Sequence, residues 1–274
     1  MCYSVLMSVY QKEDAGNLQK AIDSIWAQTV PTDDFILVCD GPLNEDLDRV
    51  INNMEKTHPA VFHVVRLETN CGLGNALRTG LQRCRNDLIA RMDSDDISRP
   101  DRCEKQLEIF QKHPEISICS GIVEEFQNTP ADSYSRRVPP ENQKEILSFM
   151  KRRNPFNHPC VMYRKSAVEA AGGYQDFYLL EDYFLWVRML KNGCIGYNIQ
   201  QPLLWMRAGS GMYKRRAGWK YVKSQIALYR FMKDIHFISC SECFTICLVR
   251  TVSSLMPNII RETAFKLLLR RNSA

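Results

Sequence analysis

Short apolar runs alternate with amphipathic stretches along most of the chain, and polar or glycine-bearing turns stop each run. Ser4-Val5-Leu6-Met7-Ser8-Val9-Tyr10 reads as a strand, and Leu18 to Ala27 carries helical spacing through Leu18, Ala21, Ile22 and Ile25. Phe35-Ile36-Leu37-Val38-Cys39 predicts a second strand, stopped by Asp40-Gly41-Pro42. A helix over about 44–56 and a strand over 61–67 follow. Asn70-Cys71-Gly72-Leu73-Gly74 then turns into a helix through Ala76, Leu77 and Leu81, ahead of the apolar run Leu88 to Met92. Strands alternating with helices of this length predict βαβ units and a parallel sheet. The loops Tyr10–Glu13, Asp40-Gly41, Asn70–Gly74 and Asp93–Asp96 then fall on one sheet edge, as parts of one cleft.

Beyond this point the pattern predicts a helix over 99–112, opened by Ser98 as N-cap and Pro100 in its first turn, and a strand from Ile116 to Val123. Residues 127–140, with Pro130, Pro139 and Pro140, predict a loop toward a second half. Glu141 to Met150 is amphipathic, Asn154-Pro155-Phe156-Asn157-His158-Pro159 is a stiff loop, and Lys165–Ala171 is a helix closing on Gly172-Gly173. Leu179-Leu180-Glu181-Asp182 opens a helix with Tyr183, Trp186, Val187 and Leu190 along one side. Acids in a first turn also suit the helix dipole, so Glu181 and Asp182 are open to that simpler reading. Three further helices are predicted over 219–233, 236–255 and 259–271. The middle one is apolar but carries Glu242 and Arg250, which are costly at a bilayer centre. An amphipathic surface anchor suits it better than a span, with packing on protein as the alternative.

The length of 274 residues and the 45% apolar fraction accommodate one large α/β domain with additions. Eleven scattered cysteines, and a start that runs straight into a strand, fit reduced thiols in the cytoplasm. Cys240, Cys243 and Cys247 form only a weak metal pattern, with no second motif beside them. The net charge of +5 conceals an asymmetry: residues 214–274 hold 12 Lys/Arg against 3 Asp/Glu, while the rest holds 24 against 28. A basic, partly apolar tail on a slightly acidic body points to an anionic partner such as the inner face of a membrane. It carries no nucleic-acid motif.

The chemistry concentrates in Asp93-Ser94-Asp95-Asp96. Carboxylates packed so closely repel one another unless a cation is present, and a hard divalent ion takes one or two of them together with phosphate oxygens. Alternate residues of an extended segment face the same way, so Asp93 and Asp95 can reach one site. A solvated acidic turn is the plainer reading of the same motif. Gly72 and Gly74 do not complete a dinucleotide fingerprint, since position 77 is Leu. A phosphohydrolase of the haloacid-dehalogenase type also uses Asp-x-Asp, but on the chain's first strand and without a following acid such as Asp96. A catalytically inactive nucleotide-sugar-binding module is the other alternative.

Taken in order, these pieces resemble the family 2 glycosyltransferases of the GT-A fold, the bacterial cell-surface glycan enzymes in particular. The matching pieces are Ser4–Tyr10, Cys39-Asp40-Gly41, Asn70-x-Gly72 with Ala76-Leu77-Arg78, Asp93-Ser94-Asp95-Asp96, Gly172-Gly173-Tyr174, and Glu181-Asp182 with Trp186 and Arg188. The resemblance implies a mixed, mostly parallel sheet flanked by helices over residues 1–213, with a basic helical tail over 214–274. It implies Mg²⁺ or Mn²⁺ at Asp93 and Asp95, and nucleotide contacts from Tyr10, Glu13, Asp40, Arg78 and Asp93. Cys39 stands where such enzymes usually carry an acid. Asp182, with Glu181 beside it, matches the catalytic base. His158, Trp186 and Arg188 would lie on the acceptor side, with a satisfied structural histidine as the alternative for His158, and stacking on an acceptor sugar or a place in the core open for Trp186. Apart from the resemblance, Arg207 to Lys214, with Gly209 and Gly211, reads as a loop that closes over the diphosphate. The implied reaction moves a hexose from a UDP-sugar to a glycan or lipid-linked acceptor, with inversion.

Overall fold

The computed structural model describes residues 1–208, 218–255 and the strand 271–272. Its first half runs β1 (Ser4–Val9), α1 (Ala15–Trp26), β2 (Asp34–Cys39), α2 (Glu45–Thr57), β3 (Phe62–Arg66), α3 (Leu73–Arg83) and β4 (Leu88–Asp93). These four strands are parallel, in the order β3-β2-β1-β4. Helices cover both faces of the central strands, which is why β1 and β2 read as unbroken apolar runs. Val5, Met7 and Val9 enter one core with Leu18 and Ile22, while Leu6, Ile36 and Val38 enter the other with Leu77 and Trp186. Asp14 and Asn44 cap α1 and α2, accepting the amides of Asn17 and Leu47 at 2.9 and 3.0 Å.

The second half turns the sheet antiparallel. β5 (Ile97–Ser98), α4 (Arg102–Lys112), β6 (Ile116–Phe126), β7 (Ser135–Arg137), α5 (Gln143–Met150), β8 (Met162–Arg164), α6 (Lys165–Ala170), α7 (Glu181–Lys191) and β9 (Ile195–Arg207) follow in order. β8 lies antiparallel between β4 and β6, and β7 pairs antiparallel with β6 farther along, at Val123 to Glu125. β9 runs parallel to β6, with bulges around Gly121 to Val123, and pairs with β5 near its end. The mixed α/β architecture matches the sequence expectation, with the parallel pairing concentrated in the first four strands.

Three departures have local causes. Ser98 is not a helix cap; it joins β5, and α4 begins after Asp101. Strand β7 lies inside the stretch read as a loop, because three residues are too short to show a period. The 13-residue β9 is hidden in the sequence because Gln200, Gln201 and Pro202 interrupt its apolar run.

The tail supplies α8 (Trp219–Asp234) and α9 (Cys240–Leu255). Tyr221, Leu228, Tyr229 and Met232 of α8 share one apolar cluster with Trp186 and Leu185 of α7. Ser224 Oγ donates to the Tyr178 carbonyl at 2.8 Å, and Tyr229 Oη to that of Arg152 at 2.9 Å. The sequence helix from His236 starts four residues late. His236 sits at φ 56°, and Ser239 with Glu242 forms a reciprocal cap: Ser239 N donates to Glu242 Oε2 at 2.8 Å, and Glu242 N to Ser239 Oγ at 3.1 Å. No described helix is long and apolar enough to cross a membrane. The expected helix over 259–271, residues 209–214 of the expected closing loop and the 213/214 boundary lie outside the described residues, apart from a two-residue strand, β10 (Arg271–Asn272), beside β7.

Candidate active site

Close backbone approaches draw the strand-end loops together. Gly41 has φ +87°, and a Cβ there would stand 2.6 Å from the Asn70 amide nitrogen, so only glycine fits. Both oxygens of Asp40 accept from the next loop, from Cys71 N at 2.7 Å and Gly72 N at 3.1 Å. The same loop presses on the start of α7, because a Cβ on Gly74 would lie 2.7 Å from the Gln175 carbonyl oxygen and 3.3 Å from Glu181 Cβ. On the other flank, Ser94 Oγ stands 3.5 Å from Glu13 Oε2. All four loops singled out in the sequence meet here, and the first turn of α7 joins them.

Asp93, Asp95 and Asp96 bring one carboxylate oxygen each to within 4.8 Å of one another. Burial, followed by the charges of Asp93 and Glu13, pushes Asp95 up to about 7. Asp96, fully buried, is driven well above the usual carboxylate range by burial and then by Asp95 and Asp93. One Asp96 oxygen accepts the Arg207 amide at 2.7 Å, and the other is buried without a hydrogen bond. Oxygen-rich, crowded and short of positive charge, this cluster fits a hard divalent cation.

Across the cleft stand Glu181 and Asp182. Asp182 is held firmly: Asn154 Nδ2 donates to its Oδ2 at 2.6 Å, and Tyr183 N donates to its Oδ1 at 2.7 Å. His158 Nδ1 lies 3.9 Å from that Oδ2, while its Nε2 meets Tyr174 Oη at 3.0 Å. Burial and then the charge of Arg91 hold His158 well below its ordinary value, so the ring is neutral and polar rather than a counter-ion. Glu181 rises to about 7, through burial and then the charge of Asp182.

Arg91 joins the two acidic sets. The guanidinium is 1% exposed and donates to Asp93 Oδ1 at 2.5 Å. Its charge also acts on Asp182 and Glu181, and Asp93 in turn acts on Glu181. One buried cation thus serves carboxylates from β4 and from α7.

The glycosyl transferase family 2 model matches residues 4–172, well over half of the chain. The chain belongs to this family. It is 41% identical over 258 residues to the amylovoran biosynthesis glycosyltransferase AmsE of Erwinia amylovora, covering 93% of this chain and 94% of that one. It is 40% identical over 271 residues to the UDP-Gal:alpha-D-GlcNAc-diphosphoundecaprenol beta-1,3-galactosyltransferase of Escherichia coli, covering 98% and 97%. Among solved structures, residues 1–349 of S. aureus TarS in complex with UDP-GlcNAc superpose with a TM-score of 0.69 at 14% identity, over 98% of this chain and 76% of that one. The mannosyltransferase PcManGT of Pyrobaculum calidifontis, in complex with GDP-Man and Mn²⁺, gives 0.63 at 12% identity, over 97% and 80%. The fold is that of the GT-A glycosyltransferases, and the chain is a family 2 glycosyltransferase of the bacterial polysaccharide type. In this glycosyltransferase Asp93 ends the fourth strand, not the first as the phosphohydrolase alternative requires.

Two acceptor-side expectations need correction. Trp186 is fully buried, packed edge-on against Phe156 and His158 with ring centroids 6.0 Å away, so it supports His158 from beneath and cannot stack on a sugar. Arg188 donates to the carbonyls of Ala171 at 2.5 Å and Gly173 at 2.8 Å, which commits its guanidinium to the Gly172-Gly173 turn. Cys39 is buried, and burial pushes its thiol up to about 11, so it offers no anion to the cleft. Tyr10 and Arg78 are exposed at the rim. Sequence reasoning missed Asn154 and Arg91, and it read Arg207 as the start of a closing loop, whereas Arg207 ends β9 and its Nε donates to the Asp95 carbonyl at 3.1 Å. Arg91 alone left a signal: a cation in an otherwise buried strand has to be paired.

Proposed function

We propose that this glycosyltransferase moves a hexose from a UDP-sugar to a hydroxyl of a lipid-linked saccharide, with inversion, during cell-surface polysaccharide synthesis at the inner face of the membrane. The observation that carries the reading is the pair of carboxylate sets, one at the end of β4 and one opening α7, with Arg91 hydrogen-bonded to Asp93 and near enough for its charge to act on Asp182. The named activity of the Escherichia coli relative, which covers nearly the whole chain, supports the donor and acceptor classes.

Tyr10, Glu13, Asp40 and Arg78 form the nucleotide side. Asp40 holds the Asn70–Gly74 loop in place through its two amide contacts. Asp93 and Asp95, with Asp96 behind them, would hold Mg²⁺ or Mn²⁺, which supplies Lewis-acid neutralisation of the departing diphosphate. Asp182 accepts the acceptor hydroxyl proton as that oxygen bonds to the anomeric carbon and the sugar–diphosphate bond breaks. Its neighbours fix the lone pairs in one direction, which is what a general base worth roughly 10²–10⁴-fold requires. Glu181 beside it carries a proton up to about pH 7, which spares Asp182 a second negative charge. His158, neutral and rigid, borders the acceptor end.

A panel of nucleotide sugars with Mn²⁺, read first by thermal shift and then by sugar transfer to a lipid diphosphate saccharide, tests the reading. UDP-hexoses should stabilise the protein and be consumed with acceptor present. Stabilisation only by a non-uridine donor, or release of free phosphate without transfer, would overturn it.

A further inference from the structure

Helix α9 packs Cys243, Ile246 and Cys247 against the domain and carries a second apolar stripe on its outer side. Its two charged residues turn toward the domain: Glu242 accepts from Lys151 Nζ at 3.2 Å, and Arg250 donates to the Arg152 carbonyl. Cys243 is buried against α8. The opposite stripe is bare and apolar, with Phe244 72%, Leu248 55%, Val249 60% and Val252 48% exposed. Phe244, Leu248 and Val252 are four apart and Val249 is three before Val252, so they share one helix face. The Gly218 amide meets the Ser254 carbonyl at 3.4 Å, which sets Trp219, 63% exposed, at the far end of the same helix.

The rim of this stripe is cationic. Arg230 is exposed on α8, where its charge reaches Cys247, and Lys220 follows Trp219 with its ammonium over the Tyr178 ring at 4.0 Å. Exposed apolar side chains with an indole at one end and cations around them match the surface of an anionic bilayer. A second copy of the chain fits poorly. A two-fold contact would set this rim against itself, and five side chains fall short of the roughly 800 Å² per partner of a stable interface. The inner side of α9 adjoins the proposed reaction centre, because Lys151 and Arg152, which it holds, run through Arg153 into Asn154, which donates to Asp182.

We propose that the outer face of α9, with Trp219, is a lipid-docking surface that seats the enzyme on an anionic bilayer and turns the Asn154 end of the cleft toward the membrane. The inference rests on the lipid-linked acceptor reading and adds the surface that would serve it. Flotation of the full chain with phosphatidylglycerol–phosphatidylcholine vesicles, and with phosphatidylcholine alone, tests it. The parent protein should float with the anionic vesicles, and the F244S/L248S double variant should bind at least about tenfold more weakly at unchanged thermal stability. Lys220→Ala should weaken binding about fivefold, an effect that salt erases.

Failure of the parent to float, or equal flotation of the double variant, would overturn the proposal. So would a parent dimer that the double variant converts to monomer, since a second chain would then cover the face. Transfer to a short-chain soluble acceptor is measured alongside. A parent that floats but transfers to no acceptor sinks the transferase reading alone, and one that transfers without floating sinks only the docking surface.

Discussion

The two acidic sets of the cleft are built on opposite principles. At the end of β4 three carboxylates crowd together with too little positive charge, and two of them are pushed up by burial and by one another. At the start of α7 the protein itself satisfies the key carboxylate, with an amide on each oxygen of Asp182 and a neutral histidine beside it. The first site is unfinished without a ligand; the second is finished before any ligand arrives. Preorganised groups act at the moment of reaction without rearranging, whereas an undercompensated cluster gains most from what binds it.

The largest effect should come from the finished site. Asp182→Asn should cut transfer by roughly 10²–10⁴-fold while calorimetry still shows donor binding. Loss of donor binding as well would dissolve the distinction between the two sets. At the unfinished site, Asp95→Ala should weaken Mn²⁺-dependent donor binding by roughly 10–100-fold or more, measured with and without the ion. Asn154→Ala should lower kcat by about tenfold and leave the donor KM unchanged, because one hydrogen bond to a charged group sets the orientation of Asp182.

The smallest effect is on stability. Asp95 and Glu181 hold protons in the folded state up to about 7, where the unfolded chain has already lost them. The melting temperature of the metal-free protein should therefore fall as pH rises from the ordinary carboxylate range through about 7. Mn²⁺ should flatten the Asp95 part of that slope and leave the Glu181 part, which separates the two sets in one scan.

Most of the donor half was legible because its signals are local. Strands β1 to β4 are mostly apolar runs, each ending in a turn with its own chemistry, and the parallel order follows from the alternation of strand and helix. The acceptor half was less so. Asn154 matters only because the chain returns it to Asp182, 28 positions later, and no spacing rule announces such a contact. Trp186 and Arg188 misled for the same reason. An aromatic ring or a guanidinium near Asp182 in sequence has no orientation until the core is packed, and here one points inward and the other closes a glycine turn. The start of α9 was legible in principle, since Ser239-x-x-Glu242 is a capping pattern.

The missing side chain at Gly74 ties these halves into one machine. The helix that begins there rests directly on the backbone of Gln175 and on the flank of Glu181, with no room for a methyl group between them. An alanine at that point would wedge the Asn70–Gly74 loop away from α7, so a scaffold re-engineered for a different sugar has to keep this seam bare.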